Sequence, residues 1–231
     1  MTINFNEVDL EIVDSIEVSF GQTLNRLVNK VSSSKPEVLL ALSGGPTATK
    51  CYDYFCRSYN KSLDFSLIDV IVGDERCVPV DDPDSNFGMI QSTFRKYNIN
   101  PKSLTPLDCS NNGFLTEQII LQHSTIDIIH LGLGADGHTA SLFPDSSALN
   151  VQQNVLITKN EDVHKVNLHE RITLTFEAIN SATYRVVTVS GAEKAEIMKK
   201  LFDGDDLPAR MLNPNNLIFL VDKDAASYLG R

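Results

Sequence analysis

Asp136 and His138 are the residues of this chain best placed by type and spacing to do chemistry. They stand two apart inside the glycine-rich run GLGADGHTASLFP (132–144), directly after the apolar stretch IDIIHL. A histidine beside a carboxylate at the end of a buried strand has the parts of a positioned general base. His138 is expected at or near a helix start, where the dipole disfavours the cationic ring and leaves the proton-accepting form. Asp136 would orient the imidazole or meet a sugar hydroxyl. Gly132, Gly134 and Gly137 would let backbone and ligand approach closely. A plainer reading, in which His138 only caps the following turn, stays open.

Two further stretches offer groups for an anion. In LALSGGPTATK (40–50) a strand, a Gly-Gly turn and a helix start would present backbone N–H groups and a helix dipole, with hydroxyls from Ser43 and Thr47. Gly44 and Gly45 would equally serve a tight turn with no ligand. The stretch is neither a Walker A loop nor a GxGxxG fingerprint. In VGDERCVPVDDPDSNFGM (72–89), Arg76 would hold a phosphate in bidentate fashion, unless Asp74, Glu75 and Arg76 merely pair at the surface. Asp81, Asp82 and Asp84 read as a solvated loop and lack the ligand spacing of a calcium site. Arg171 opens RITLTF, and Lys194 in SGAEK lies at a helix N-terminus within reach of the same sheet edge. Solvated surface charge is the alternative for both. His130, within its apolar run, reads as a core histidine.

These positions need a scaffold. Apolar residues at spacings of three, four and seven over 12–31 predict an amphipathic helix. Apolar runs at VLLAL (38–42), FSLIDVIVG (65–73), IDIIHLGLG (126–134), YRVVTVSG (184–191) and NLIFLVD (216–222) alternate with helical patterns. Strands apolar throughout belong in a sheet covered on both faces. The expected fold is α/β, a doubly wound, largely parallel sheet with helices on both faces, and residues 1–231 form one domain. Within VNLHERITLTFEAINSA (166–182), RITLTF alternates like a half-exposed strand, with a short helix after it.

The 231 residues are 42% hydrophobic and 22% charged, which is ordinary for a globular protein. The net charge of −10 argues against nucleic acid as a partner, while a few convergent cations can still reverse the sign locally. No apolar run has the length of a membrane span, and the acidic N-terminus lacks the pattern of a secretory signal. The expected location is the cytoplasm. Cys51, Cys56, Cys77 and Cys109 show no CxxC pair or zinc spacing, Cys51 and Cys56 read as packing residues, and no disulfide is expected.

Taken together, LSGGPT, DERCVPVDDPDSNFG, GLGADGHTASLFP, RITLT, GAEK and VDKDAA resemble, in order and over nearly the whole chain, the glucosamine-6-phosphate isomerase/6-phosphogluconolactonase family. The resemblance implies a Rossmann-like fold and hydrolysis of 6-phospho-D-glucono-1,5-lactone in the oxidative pentose phosphate pathway. It implies no metal or organic cofactor. It casts His138 as the base that takes a proton from water, with Asp136 orienting it. Ser43, Gly44, Gly45 and Thr47 become a phosphate cradle, Arg76, Arg171 and Lys194 supply positive charge, and Asp74 lies among the substrate-binding residues. The implied partner is a small sugar-phosphate lactone bound by a monomer or weak homodimer. Pro46 stands where the family usually has Ser or Thr, which removes one N–H from the cradle and shifts weight to Thr47. The isomerase/deaminase branch has a glutamate where this chain has Phe143, and an Asp-Glu-Tyr run in place of Asp74-Glu75-Arg76. Lactone hydrolysis is therefore preferred over that branch and over a non-catalytic sugar-phosphate sensor.

Overall fold

The computed structural model describes residues 8–151, 156–160 and 169–230, so residues 166–168, at the head of the RITLTF stretch, lie outside the described residues. In chain order the main elements are β1 (Asp9–Val13), α1 (Ile16–Ser32), β2 (Val38–Leu42), α2 (Pro46–Tyr59), β3 (Ile68–Val72) and β4 (Asp74–Arg76). They continue as α3 (Asn86–Lys96), β5 (Ser103–Thr105), α4 (Phe114–His123), β6 (Ile128–Gly132), β7 (Ile157–Asn160) and β8 (Arg171–Leu174). The last are α5 (Phe176–Ser181), β9 (Tyr184–Val189), α6 (Ala195–Asp203) and β10 (Leu217–Asp222).

Seven strands form a parallel sheet in the order β1-β10-β9-β6-β2-β3-β5. The period of two along each strand divides the core. Val38, Leu40 and Leu42 pack with α1, α2 and α3 on one face. Leu39 and Ala41 face the other side, where α5 and α6 contribute Ala178, Ile179, Met198 and Leu201. Both faces being covered explains why β2 and β3 are buried at every position. This is the doubly wound α/β architecture the sequence predicts.

The chain order β2, β3, β5 runs one way from the centre, and β6, β9, β10 runs the other. The sheet therefore reverses between β2 and β6, and ligands of such sheets bind outside the strand C-termini at that reversal. The SGG turn leaves β2 there and the GLGADGH loop leaves β6.

Some expectations need correction. The first helix begins at Ile16, capped by the Ser15 hydroxyl on Val18 N–H, and Ile12 belongs instead to edge strand β1. The RITLTF strand is not half-exposed: all four residues of β8 are buried. β8 sits between β4 and β7 in a separate three-stranded antiparallel sheet, where Arg171 lines the cleft and Thr173 Oγ1 accepts from Ser141 N–H. Cys77 and Cys109 form a disulfide, 32 residues apart in sequence. The expectation of no disulfide is therefore wrong, because spacing rules for short motifs cannot foresee a bridge between distant loops. Cys51 and Cys56 are buried and free, as packing residues should be.

Candidate active site

A cleft of about 620 Å³ opens at the reversal point, lined by Ser43, Gly44, Gly45, Thr47, Asp74, Arg76, Asp136, His138, Arg171 and Lys194, with Gly132 and Gly134; Gly137 lies outside that lining and approaches Leu207 instead. Segments up to 151 residues apart in sequence thus meet in one place.

The loop after β6 holds His138 through its own hydrogen bonds. Asp136 Oδ1 accepts from His138 N–H at 3.2 Å and from the Nδ1 side of the ring at 2.5 Å. Gly134 N–H donates to the His138 carbonyl, and Thr139 Oγ1 donates to the Gly132 carbonyl. The expectation of a helix start at His138 is wrong. Ala140 takes a left-handed φ of 49°, and Thr139 and Leu142 pair in an isolated bridge, so no helix dipole acts on the ring. The carboxylate orients it instead. Burial alone would push the Asp136 carboxyl up. The hydrogen bond and charge of His138, with backbone N–H groups, outweigh it and hold the value at about 2. Gly134 approaches closely, but to protein rather than ligand: a Cβ there would overlap the His138 ring.

Phe143 packs on His138 with ring centroids 4.5 Å apart. The position where the isomerase branch carries an acid is therefore filled by an apolar ring against His138.

On the other wall, β4 and β8 pair antiparallel with Arg76 directly opposite Arg171. Like charges facing across a sheet are destabilising unless something negative lies between or beside them. Arg171 is 5% exposed, and burial, followed by the charge of Arg76, lowers its guanidinium to about 10. The surface ion pair among Asp74, Glu75 and Arg76 does not form. Glu75 turns inward and accepts from the backbone N–H groups of Arg76, Asn86 and Phe87, capping α3. Burial raises its carboxyl against those bonds. Asp74 accepts from Ser141 Oγ at 2.7 Å, which ties the small sheet to the His138 loop. Arg76 is aimed by the Asp84 carbonyl at 2.8 Å and by the Asn86 side chain.

The SGG turn supplies the floor. Gly45 takes φ 98°, a region costly for other residues, and precedes Pro46 at the first turn of α2. Proline's missing N–H falls where a helix has no internal partner for it. Thr47 lines the cleft one residue further on. Lys194 stands at the start of α6, its ammonium lowered chiefly by burial while Glu193 and Asp136 pull the other way. His130 is the core histidine expected, 1% exposed, yet it also forms the cleft floor.

Asn86, Ser141 and Thr188 also line the cleft and had not been singled out. Asn86 had a signal, since Ser85-Asn86 starts a helix right after an acidic loop; Ser141 and Thr188 had none beyond being small and polar. Among the described residues, one group has metal-ligand geometry, Glu37, Asp69 and His123, far along β3 from the cleft. Lys102 makes ion pairs with both of its carboxylates at 2.5 and 3.3 Å, so it reads as a charge network.

The description of glucosamine-6-phosphate isomerases and 6-phosphogluconolactonases matches residues 13–220. A 6-phosphogluconolactonase of Chlamydia pneumoniae is 34% identical over 209 residues, covering 87% of this chain and 80% of the relative. One of Synechocystis is 34% identical over 221 residues, covering 87% and 89%. Among solved structures, the Thermotoga maritima 6-phosphogluconolactonase has a TM-score of 0.80 at 24% identity, over 93% of this chain and 99% of that one. A monomeric glucosamine-6-phosphate deaminase scores 0.76 at 22% identity, over 95% and 99%. Likeness of fold thus spans both reactions.

Proposed function

The chain belongs to the glucosamine-6-phosphate isomerase/6-phosphogluconolactonase family, and from that premise we propose that its cleft hydrolyses 6-phospho-D-glucono-1,5-lactone to 6-phosphogluconate, the lactone-opening step of the oxidative pentose phosphate pathway. The observation that carries the reading is one cleft holding an aspartate-oriented histidine and a facing pair of arginines. The first suits proton transfer to and from water; the second suits a phosphate.

Asp136 occupies Nδ1 of His138, so Nε2 is the nitrogen that takes a proton. Water attacks the lactone carbonyl carbon as its proton passes to Nε2, giving a tetrahedral oxyanion. Collapse breaks the bond from that carbon to the ring oxygen, which takes the proton back from His138. The hydroxy acid formed then ionises and releases one proton to solvent. Asp136 orients the ring and offsets its transient charge. Arg76 and Arg171 receive the phosphate with Ser43, Gly44, Gly45 and Thr47, the last carrying more of the contact because Pro46 donates nothing. Lys194, electrostatically coupled to Asp136, supplies positive charge on the His138 side, and Asp74 borders the sugar. Phe143 supports lactone hydrolysis over sugar isomerisation, since a phenyl ring cannot move a proton. Both sheets contribute to the one cleft, which supports reading the chain as one domain.

The test is proton release from freshly generated 6-phosphogluconolactone, corrected for spontaneous opening, with wild type beside His138→Ala. Loss of the enzymatic rate in the variant is expected. Ammonia release from glucosamine 6-phosphate by the wild type would overturn the assignment.

A further inference from the structure

Beneath the cleft a buried chain of side chains crosses three adjacent strands. His130, in β6, has Nδ1 2.6 Å from the Tyr52 hydroxyl of α2 and Nε2 2.9 Å from Thr188 Oγ1 of β9. The Tyr52 hydroxyl accepts from Ser43 N–H at 2.9 Å and lies 3.0 Å from the Ser43 carbonyl, to which it can donate. Phe20 packs on the imidazole with centroids 4.4 Å apart, and Tyr52 and His130 are each 1% exposed.

Ser43 is the residue at which β2 runs out. The last paired position is Leu42, opposite Val72, so the peptide groups of Ser43 lie past the ladder while the residue is only 5% exposed. Buried peptide groups need partners, and one tyrosine hydroxyl serves both. Next in the chain come Gly44 and Gly45, the pair with least conformational preference of its own, leading to a helix whose N-cap has no side-chain hydrogen bond. The conformation of this turn is thus imposed from outside it. Burial pushes His130 down to about 3, which leaves a neutral ring with one donor and one acceptor. The Tyr52 hydroxyl has one proton to give, so donating it to the Ser43 carbonyl puts the His130 proton on Nδ1, which donates to Tyr52, and leaves Nε2 to accept from Thr188 Oγ1.

We propose that Tyr52 and His130 are positioning residues for phosphate recognition: the Tyr52 hydroxyl, held by His130, clamps both backbone groups of Ser43 and sets the Gly44-Gly45 turn against the Arg76–Arg171 pair. The inference rests on the lactonase reading of the cleft. Their hydrogen bonds run to Ser43 and Thr188, so on this reading their loss acts on the phosphate end and leaves proton transfer at His138 in place.

Tyr52→Phe removes the hydroxyl and keeps the ring against Phe20. KM for 6-phosphogluconolactone should rise about tenfold, the scale of a lost buried hydrogen-bond pair, with kcat within about twofold. Turnover of glucono-1,5-lactone, which lacks the phosphate, should keep its kcat/KM, so the preference for the phosphorylated substrate falls about tenfold. His130→Gln, read the same way, serves should Tyr52→Phe fail to fold; retaining a donor and an acceptor, it should lose less of the preference. Equal losses with both lactones, or an altered melting temperature with unchanged KM, would overturn the inference. Calorimetric titration with inorganic phosphate separates the clamp from the lactonase reading. A wild type that binds phosphate tenfold more tightly than Tyr52→Phe but leaves the lactone intact supports the clamp and refutes the lactonase reading.

Discussion

If Asp136 acts only through His138, removing the carboxylate should cost nothing once the imidazole is gone. The perturbation is a double-mutant cycle of Asp136→Asn and His138→Ala, which isolates the coupling of a contacting pair. Asparagine can still accept from Nδ1, so that single change removes charge and keeps the contact. The nitrogen and oxygen lie 2.5 Å apart. With charge centres about 4 Å apart, attraction between carboxylate and imidazolium is about 4 kcal/mol at an effective dielectric of about 20. The two side chains are 30% and 45% exposed. Solvent screening brings the effect down to about 1.4–2.8 kcal/mol, a loss of about 10- to 100-fold in kcat. His138→Ala should cost about 10²- to 10⁴-fold, the usual worth of a positioned base.

The double variant should match His138→Ala within about twofold. The assay is pH-stat titration, since each turnover releases one proton, with the spontaneous rate subtracted. Near-wild-type kcat in His138→Ala would remove His138 as the base. A further tenfold loss from Asp136→Asn in the alanine background would show the carboxylate acting on substrate directly.

Arg171→Leu should raise KM for the phosphorylated lactone about 10- to 100-fold, as expected for a lost charge-assisted contact, and spare the unphosphorylated one; equal effects on both would refute the phosphate role. Cys77→Ser opens a loop of 32 residues and should lower unfolding free energy by about 2–4 kcal/mol in denaturant titration. Reductant should do the same to wild type and nothing to the variant; a wild type indifferent to reductant would contradict it. Asp136 is held at about 2 against the usual 3.8, so the folded chain binds this proton less readily than the unfolded one. The stability it contributes is complete above about pH 4 and lost as pH falls towards 2; at 45% exposure it amounts to about 1 kcal/mol or less. The stability gap between wild type and Asp136→Asn should close over that window, and a constant gap would refute the linkage.

Much of this was legible in the chain itself because the signals are local. VLLAL and YRVVTV read as buried strands from composition, and SGGPT reads as a turn into a helix from glycine and proline alone. Edge strand β5 is only three residues, too short for a pattern, and β1 mixes acidic with apolar residues while its Ile12 fits the spacing of the helix that follows. β8 misleads for a clearer reason: Thr173 and Arg171 look like solvent-facing residues, yet Arg171 lines the cleft and the Thr173 hydroxyl is buried, accepting from Ser141 N–H. Likewise the helix start expected at His138 gives way to a loop that closes through Asp136, Thr139 and a left-handed Ala140.

By itself the sequence determined the residue types that do the work, the parallel sheet and the place of each motif at a strand end, since these follow from periodicity and short-range backbone preference. Tertiary structure alone decided that Arg76 faces Arg171, that Cys77 meets Cys109, and that His130 and Tyr52 grip the end of β2 from below. Those pairings join residues 9 to 95 positions apart across different strands and loops. Nothing local in the chain specifies them; they exist because closing the sheet and burying both its faces brings those segments within hydrogen-bonding reach.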